Sequence, residues 1–374
     1  MGEVTLVLDQ QGNRPGYFIG TLDGESLLSG GLGGSTSVKP FIAKINDSLK
    51  VDLLAAPAAN LDMSTGFKAL NVSNGFVILY ALLDNYSYDD LGPARLSKIS
   101  NSGQIEWEKT YLTNAQAGAK SITRDQNDMI YLLAGNYYTD TAYCSLLKIG
   151  NDGIVLWEKT MAGFTAGDVI TSVDNNIFYH TDSVSGKYFP VITKVDINGT
   201  KIWSKTLQPN NGSDWKTILS PSKDGGCIVV YQPGRDSSDH FYYHSTRILK
   251  LTSNGIVAWQ TKIEPKSMIG DGVDPLGGFS RFGGIFVDHN SNNYIVGSVF
   301  ITSKLAIVKF DKNGIWIKSK IFINPADMER VGIGMTENSK GEFIVCSRDY
   351  RWSSTLPYLF NTILFKMNED FEML

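Results

Sequence analysis

Lys148–Thr160 reads KIGNDGIVLWEKT, and related copies of this stretch recur along the whole chain. The copy Lys98–Thr110, for example, reads KISNSGQIEWEKT. The copies begin at Lys44, Lys98, Lys148, Lys194, Lys250, Lys309 and Lys366. Successive copies are 54, 50, 46, 56, 59 and 57 residues apart, and the chain has 374 residues. A fixed period of this size over a whole chain is typical of a repeat architecture, here with seven units.

Each copy has the pattern of a β-hairpin. Alternating apolar positions lead into the lysine, a polar turn follows, and a second alternating run is centred on Trp. The turn ends in Gly in five copies, whereas Leu49 and Phe371 take that place in the first and last. Glycine suits a turn position with positive φ. Two more strand-like runs precede each hairpin, such as DVITSV (168–173) and DNNIFYHT (174–181). Each unit therefore contains four strands.

Seven units of four short strands predict an all-β fold, a seven-bladed β-propeller with four antiparallel strands per blade. We expect one domain over residues 1–374. The blades are predicted at about 1–57, 58–111, 112–161, 162–208, 209–264, 265–323 and 324–374. The last copy ends before its fourth strand is complete. We interpret EVTLVL (3–8) as the innermost strand of blade one, and its exchange into blade seven is the alternative.

Two repeated residue types have predicted structural roles. The tryptophans of the fourth strands are expected to fill the space between blades, as large aromatic side chains do in protein cores. They are Trp107, Trp157, Trp203 and Trp259, while Trp316 is displaced by two residues and Leu53 replaces the tryptophan of the first copy. The repeated lysines are expected to have solvent-facing stems that lie along the hairpin and reach turn carbonyls or acidic groups.

The repeat resembles bacterial propeller repeats with the pattern K-[IL]-x-x-[ND]-G-x-[IV]-x-W-x-K, which occur in large surface and secreted proteins. More distantly, it is similar to PQQ-like repeats. The resemblance covers nearly the whole chain, but only through positions that build the blades. It therefore implies a fold and not an activity, and we place no quinone-binding or ion-binding residues of PQQ enzymes in this sequence.

Composition excludes several classes of protein. The net charge is −4 and the pI is about 5.7, which argues against coating nucleic acid or anionic lipid. No run approaches the roughly 18 apolar residues of a membrane span, so we expect no membrane insertion. Three cysteines, Cys144, Cys227 and Cys346, are too few for a disulfide framework. The N-terminus lacks a basic region followed by an apolar stretch, so we expect no secretory signal. A virion or cell-surface location is favoured, with the cytoplasm as the alternative.

The long segments of the chain are expected to carry the function. Strand direction alternates within a blade, so segments between second and third strands and between blades lie at the same end of a propeller. These segments are long, variable and rich in aromatic residues. Tyrosine provides a rigid apolar ring and a hydrogen-bonding hydroxyl, which suit a protein or glycan partner. The candidate binding residues are Tyr86, Tyr88, Tyr137, Tyr138, Tyr188, Tyr242, Tyr243, Tyr350, Trp352 and Tyr358. The alternative is that these rings only pack each loop against its neighbour.

No set of residues in the sequence predicts catalysis. His240 and His244 are four residues apart, but on an extended loop this spacing does not bring both to one metal. Asp271 and Asp274 lack the ladder of a calcium loop. We therefore predict no catalytic residues, no metal and no cofactor.

Three functional hypotheses follow from these observations. The first is a non-catalytic binding or structural module, exposed on a virion or bacterial surface assembly, that recognises protein or glycan through its aromatic loops. The second is an intracellular or periplasmic scaffold for protein interactions. The third is an enzyme, a hydrolase or lyase, with its site at the mouth of the channel.

Overall fold

The computed structural model describes fifteen ranges of the chain. They are 4–6, 13–20, 26–32, 39–55, 64–83, 91–112, 118–135, 143–184, 188–207, 217–232, 246–263, 279–299, 304–322, 329–350 and 360–374. These residues form seven four-stranded antiparallel sheets, so the chain is a seven-bladed β-propeller, as predicted. The described residues contain no helix with the length and apolar character needed to cross a membrane.

Each blade uses four strands. Blade 1 contains β2 (Asn13–Gly20), β3 (Ser26–Leu32), β4 (Lys39–Ile45) and β5 (Val51–Ala55). Blade 2 contains β6 (Ser64–Val72), β7 (Gly75–Leu83), β8 (Leu91–Ser100) and β9 (Ile105–Tyr111). Blade 3 contains β10 (Gly118–Arg124), β11 (Ile130–Gly135), β12 (Tyr143–Ile149) and β13 (Val155–Ala162). Blade 4 contains β14 (Phe164–Thr171), β15 (Ile177–Val184), β16 (Tyr188–Val195) and β17 (Lys201–Thr206).

The remaining blades follow the same order, with one exception. Blade 5 contains β18 (Ile218–Pro221), β19 (Cys227–Tyr231), β20 (Thr246–Leu251) and β21 (Val257–Ile263). Blade 6 contains β22 (Phe279–Val287), β23 (Asn293–Val299), β24 (Leu305–Phe310) and β25 (Trp316–Ile321). Blade 7 contains β26 (Glu329–Glu337), β27 (Phe343–Tyr350), β28 (Phe360–Met367) and, from the N-terminus, β1 (Val4–Leu6). The first strands of neighbouring blades touch one another around the ring, and β2 touches β26.

The N-terminal strand closes the ring. β1 pairs antiparallel with β28, with Val4 opposite Leu364 and Leu6 opposite Thr362. Near the other end of β28, Met367 forms a bridge with Met373. Our assignment of residues 3–8 to the innermost strand of blade one was therefore wrong, and the exchange into blade seven is correct. Residues from both ends of the sequence thus complete the outer edge of one sheet.

The tryptophans pack between blades, as predicted, and each meets the turn of the following blade. Trp259 Nε1 donates a hydrogen bond to the carbonyl of Lys312 at 2.9 Å. A Cβ added to Gly314, which has a φ of 78°, would lie 2.4 Å from Cε3 of Trp259. Trp107 and Trp203 make the equivalent bonds to Asn151 and Ser253, each at 2.9 Å. The Asn-Gly or Asp-Gly sequence thus serves both the turn and the contact between blades.

The contact between blades 6 and 7 replaces this arrangement with a different pair. Lys318 stands at the tryptophan position, and Phe371 takes the glycine position with a φ of 63°. Lys318 Nζ lies 4.8 Å from the centre of the Phe371 ring, within the range of a cation–π interaction. Because no indole packs against this turn, the turn can hold a side chain larger than glycine. The replacement of tryptophan by Lys318 and that of glycine by Phe371 therefore belong to the same contact between blades.

The repeated lysines reach turn carbonyls and carboxylates, as expected, but several of them are buried. Lys194 is 3% exposed, and its Nζ lies 2.9 Å from Asp174 Oδ2 and 3.3 Å from the carbonyl oxygen of Ser253. Lys148 donates to the carbonyl of Ile197 at 2.9 Å. The prediction of solvent-facing stems was wrong for Lys98, Lys194 and Lys309. Lys148 and Lys194 link the turns of neighbouring blades, whereas Lys98 pairs with Glu106 of its own blade.

Candidate functional site

The two ends of the ring differ in the segments that join the strands. At one end, tight hydrogen-bonded turns connect third to fourth strands, as in the bond from Gly153 N to the carbonyl of Gly150 at 2.9 Å. We call this the turn end. At the other end, which we call the rim, the described strands are joined by the longer segments, such as 84–90, 136–142, 233–245 and 351–359. Antiparallel order within every blade places the ends of all these segments on one side of the molecule.

Two of the predicted binding residues lie at the ends of strands from which rim segments leave the sheet. Tyr188 is the first residue of β16, and Tyr350 is the last residue of β27. Only the backbone of these two tyrosines is described. The other eight candidates lie outside the described residues, and their role stays a prediction: Tyr86, Tyr88, Tyr137, Tyr138, Tyr242, Tyr243, Trp352 and Tyr358. His240, His244, Asp271 and Asp274 also lie outside the described residues.

A buried ion pair anchors one of the rim segments. Arg330 and Asp349 stand opposite each other on β26 and β27 and are each 2% exposed. The guanidinium donates two parallel hydrogen bonds, from Nε to Oδ1 at 2.7 Å and from Nη2 to Oδ2 at 2.8 Å. Bidentate geometry of this kind fixes both side chains. The pair holds the two strands together immediately before residues 351–359 leave β27.

The wall of the central channel carries a second charged cluster, which we call the brace. It consists of Lys68 on β6, Ser121 on β10 and Asp168 on β14, at equivalent positions of three consecutive first strands. Lys68 Nζ lies 2.6 Å from Ser121 Oγ and 2.9 Å from Asp168 Oδ1. The backbone N–H of Leu219 on β18 donates to Asp168 Oδ2 at 3.0 Å. One carboxylate therefore ties together blades 2, 3, 4 and 5.

The hydrogen bonds of the brace disfavour its use in catalysis. Ser121 Oγ donates its proton to Asp168 Oδ1 at 2.6 Å while accepting from Lys68 Nζ and from the N–H of Val169. A serine nucleophile needs a neighbouring base to take its proton, but Lys68 Nζ itself donates to Ser121 Oγ and to Asp168 Oδ1. Burial raises the pKa of Asp168, yet the Lys68 ammonium, Ser121 and Leu219 outweigh this and lower it overall. The brace is thus a structural ion pair with its donors and acceptors engaged.

A glycine lies in a bulge of β14 at the level of the brace. The register of β14 shifts between Ala166 and Val169, so Gly167 and Asp168 form the bulge. His180 on β15 is 2% exposed, and a Cβ on Gly167 would lie 2.0 Å from its Nδ1. His180 Nε2 lies 3.2 Å from Asp182 Oδ1. The sequence alone does not reveal the meeting of Lys68, Ser121 and Asp168, because the first strands show no shared motif.

The chemistry available to the described residues is limited. They contain no group of three or more His, Cys, Asp and Glu side chains that could hold a metal ion. The three cysteines are buried in strands, and burial raises the pKa of the Cys144 thiol to about 12. A thiol with a raised pKa is a poor nucleophile. The predictions that the protein needs no metal and no cofactor stay predictions, since the rim segments are outside the described residues.

Comparisons with known proteins identify the fold and nothing finer. No protein-family model matches the sequence, and no curated protein matches it. The periplasmic gluconolactonase of Pseudomonas aeruginosa is similar in structure, with a TM-score of 0.55, 11% identity, and coverage of 89% of this chain and 95% of that one. The polysaccharide lyase Uly1 gives a TM-score of 0.57 at 7% identity, covering 97% and 91% of the two chains. The Dos1 propeller gives 0.52 at 10% identity, covering 93% and 81%. Likeness at this level of identity shows a shared propeller and leaves the activity open.

Proposed function

We propose that this protein is a non-catalytic binding propeller that recognises a protein or glycan partner through its rim. One observation carries the proposal: the long, tyrosine-rich segments are attached at the same end of a ring whose other end, in the part of the chain that the structure describes, carries tight turns. Binding residues on loops gain precision from a rigid scaffold beneath them. Here that scaffold includes the brace, the Arg330–Asp349 pair and the tryptophan contacts between blades.

The composition of the rim segments supports recognition over chemistry. Tyrosine rings bury a large area with little loss of side-chain entropy, and their hydroxyls satisfy polar groups of a partner. Such rings suit both the apolar face of a sugar and the centre of a protein interface. The charged groups of the brace are engaged within the chain, which favours the rim over the brace as the surface that meets a partner.

The finer parts of the proposal stay predictions. They are an exposed position on a virion or bacterial surface assembly, recognition of carbohydrate, and the absence of nucleic-acid binding and membrane insertion. The intracellular or periplasmic scaffold and the hydrolase or lyase remain the competing functions. Two of the similar structures are a gluconolactonase and a polysaccharide lyase, so turnover assays belong in the test.

The experiment combines a glycan array with affinity capture, using the purified chain. We expect binding that persists in EDTA and falls at least about tenfold in Tyr242→Ala and Tyr350→Ala, as expected when an aromatic anchor is truncated. Ile154→Asp, at the turn end, is the matched control and should bind normally. Turnover of a polysaccharide or lactone would favour the enzyme. Binding that resists every rim substitution would refute the use of this surface.

A further inference from the structure

The exposed apolar side chains of the described residues gather at the turn end. Twelve large hydrophobic side chains are well exposed. Nearly all follow a turn between third and fourth strands, at the outer edge of the ring. They are Ile105, Ile154, Val155, Leu156, Val173, Ile202, Ile256, Val257, Ile315, Ile317, Met373 and Leu374. Apolar residues concentrated on one surface of a folded protein mark an interaction site.

The most exposed members of this set lie side by side on blades 5 and 6. Ile256 and Ile315 are each 64% exposed, and each directly follows the glycine of its turn. Trp259 spans the boundary between them, since its ring lies on β21 and contacts Gly314 in the turn of blade 6. The apolar surface is therefore continuous across these two blades. We call it the apolar seam, consisting of Ile256, Trp259, Ile315 and Ile317.

Exposed side chains of opposite charge lie on the two blades that flank the apolar seam. Blade 4 presents the exposed Lys201 at the start of β17. Blade 7 presents Glu369 and Asp370, whose side chains are 70% and 73% exposed. Within the chain, Asp370 Oδ1 pairs with Lys318 Nζ at 2.8 Å, whereas Glu369 Oε2 comes only within 4.0 Å of Lys309 Nζ. An exposed lysine on the edge strand of blade 4 and two exposed carboxylates in the turn of blade 7 thus stand on either side of an apolar centre.

We propose that two copies of this protein associate through their turn ends, about a two-fold axis between blades 5 and 6. In such an isologous interface, each patch meets the same patch of the partner in reversed order. Blade 5 then faces blade 6 of the second copy, which places apolar seam against apolar seam. Blade 4 faces blade 7, which places Lys201 near Glu369 and Asp370. The tight turns project little and permit this approach, and both rims point outward and remain free.

Sedimentation velocity and light scattering on the full chain, over a wide range of protein concentration, test the proposal. We expect a dimer that dissociates on dilution. Ile256→Asp and Ile315→Asp should each raise the dissociation constant at least about tenfold, since both residues lie at the centre of the interface. Ile154→Asp changes an equally placed isoleucine of blade 3, 55% exposed, which lies away from the axis, and it should weaken the dimer much less than either substitution in the apolar seam. Circular dichroism checks that each variant is folded.

A charge exchange separates this dimer from unspecific association. Lys201→Glu should weaken the dimer, because the introduced carboxylate faces Glu369 and Asp370 of the second copy. Adding Glu369→Lys in the same chain should restore affinity, since the two-fold axis brings both changes together twice. A wild-type chain that is monomeric at every concentration would overturn the proposal. Equal loss in Ile154→Asp, or no recovery on charge exchange, would overturn it as well. Rim binding is measured separately and does not decide this outcome.

Discussion

Replacing Gly314 with alanine tests whether the repeated geometry of each turn depends on the tryptophan of the preceding blade. Gly314 has a φ of 78°, and a Cβ there would lie 2.4 Å from Cε3 and 2.6 Å from Cδ2 of Trp259. The left-handed conformation costs an alanine about 1–2 kcal/mol. Forcing a methyl group into the rigid indole adds about 1–3 kcal/mol. Displacement of the ring would also weaken its 2.9 Å bond to the Lys312 carbonyl, worth about 1 kcal/mol.

Gly341→Ala is the matched control for this substitution. Gly341 has nearly the same φ, 76°, but the nearest atom to an added Cβ is 3.9 Å away. Both substitutions gain about 0.4–1 kcal/mol by restricting the unfolded chain. We therefore expect Gly314→Ala to lose about 2–4 kcal/mol more than Gly341→Ala, because only the first meets the indole. Equilibrium urea unfolding followed by circular dichroism measures the difference in free energy.

A double-mutant cycle with Trp259→Ala completes the test. Once the indole is removed, Gly314→Ala should cost no more than Gly341→Ala, since only the backbone strain remains. If the two glycine variants lose the same free energy in the wild-type background, the indole contact is not the constraint. The indole is likewise not the constraint if Trp259→Ala leaves the cost of Gly314→Ala unchanged.

Three further predictions concern the ion pairs and the closure of the ring. Asp168→Ala should destabilise the fold by about 3–5 kcal/mol, because it leaves Lys68 without its carboxylate in the channel wall, and urea unfolding against Ser121→Ala as the milder change checks this. Burial raises the pKa of Asp174, but hydrogen bonds from Ser172 and Lys194 outweigh this and lower it to about 2 from an ordinary 3.8. The stability that this carboxylate contributes should therefore be present above pH 3.8 and be lost as the pH falls toward 2. Asp174→Asn should flatten that part of the pH–stability profile. In the double variant Thr5→Cys, Ile363→Cys, whose positions are paired in β1 and β28, a disulfide should form and raise stability by about 2–4 kcal/mol over the reduced form; failure to crosslink within one chain would contradict the closure by β1.

The contacts that vary from blade to blade were accessible only from the tertiary structure. Lys68, Ser121 and Asp168 are about fifty residues apart in sequence, in first strands without a shared motif, and their meeting depends on bulges that no local pattern reveals. Likewise, the pairing of Lys318 with Phe371 looks in sequence like two unrelated departures from the repeat. The structure shows that these two residues contact each other across the boundary between blades 6 and 7.

The sequence by itself determined the number of blades, the four strands of each, and the positions of the turn glycines and tryptophans. It could do so because every blade packs against its neighbours in the same way. The residues that make these contacts therefore recur at a regular spacing in the chain. Only the tertiary structure decided that the N-terminal strand completes blade seven, that several of the repeated lysines are buried, and that one carboxylate joins four blades. Those features depend on contacts between strands that are far apart in the sequence. Each such contact is made by single residues that do not recur from blade to blade, so no repeated pattern in the sequence reveals them.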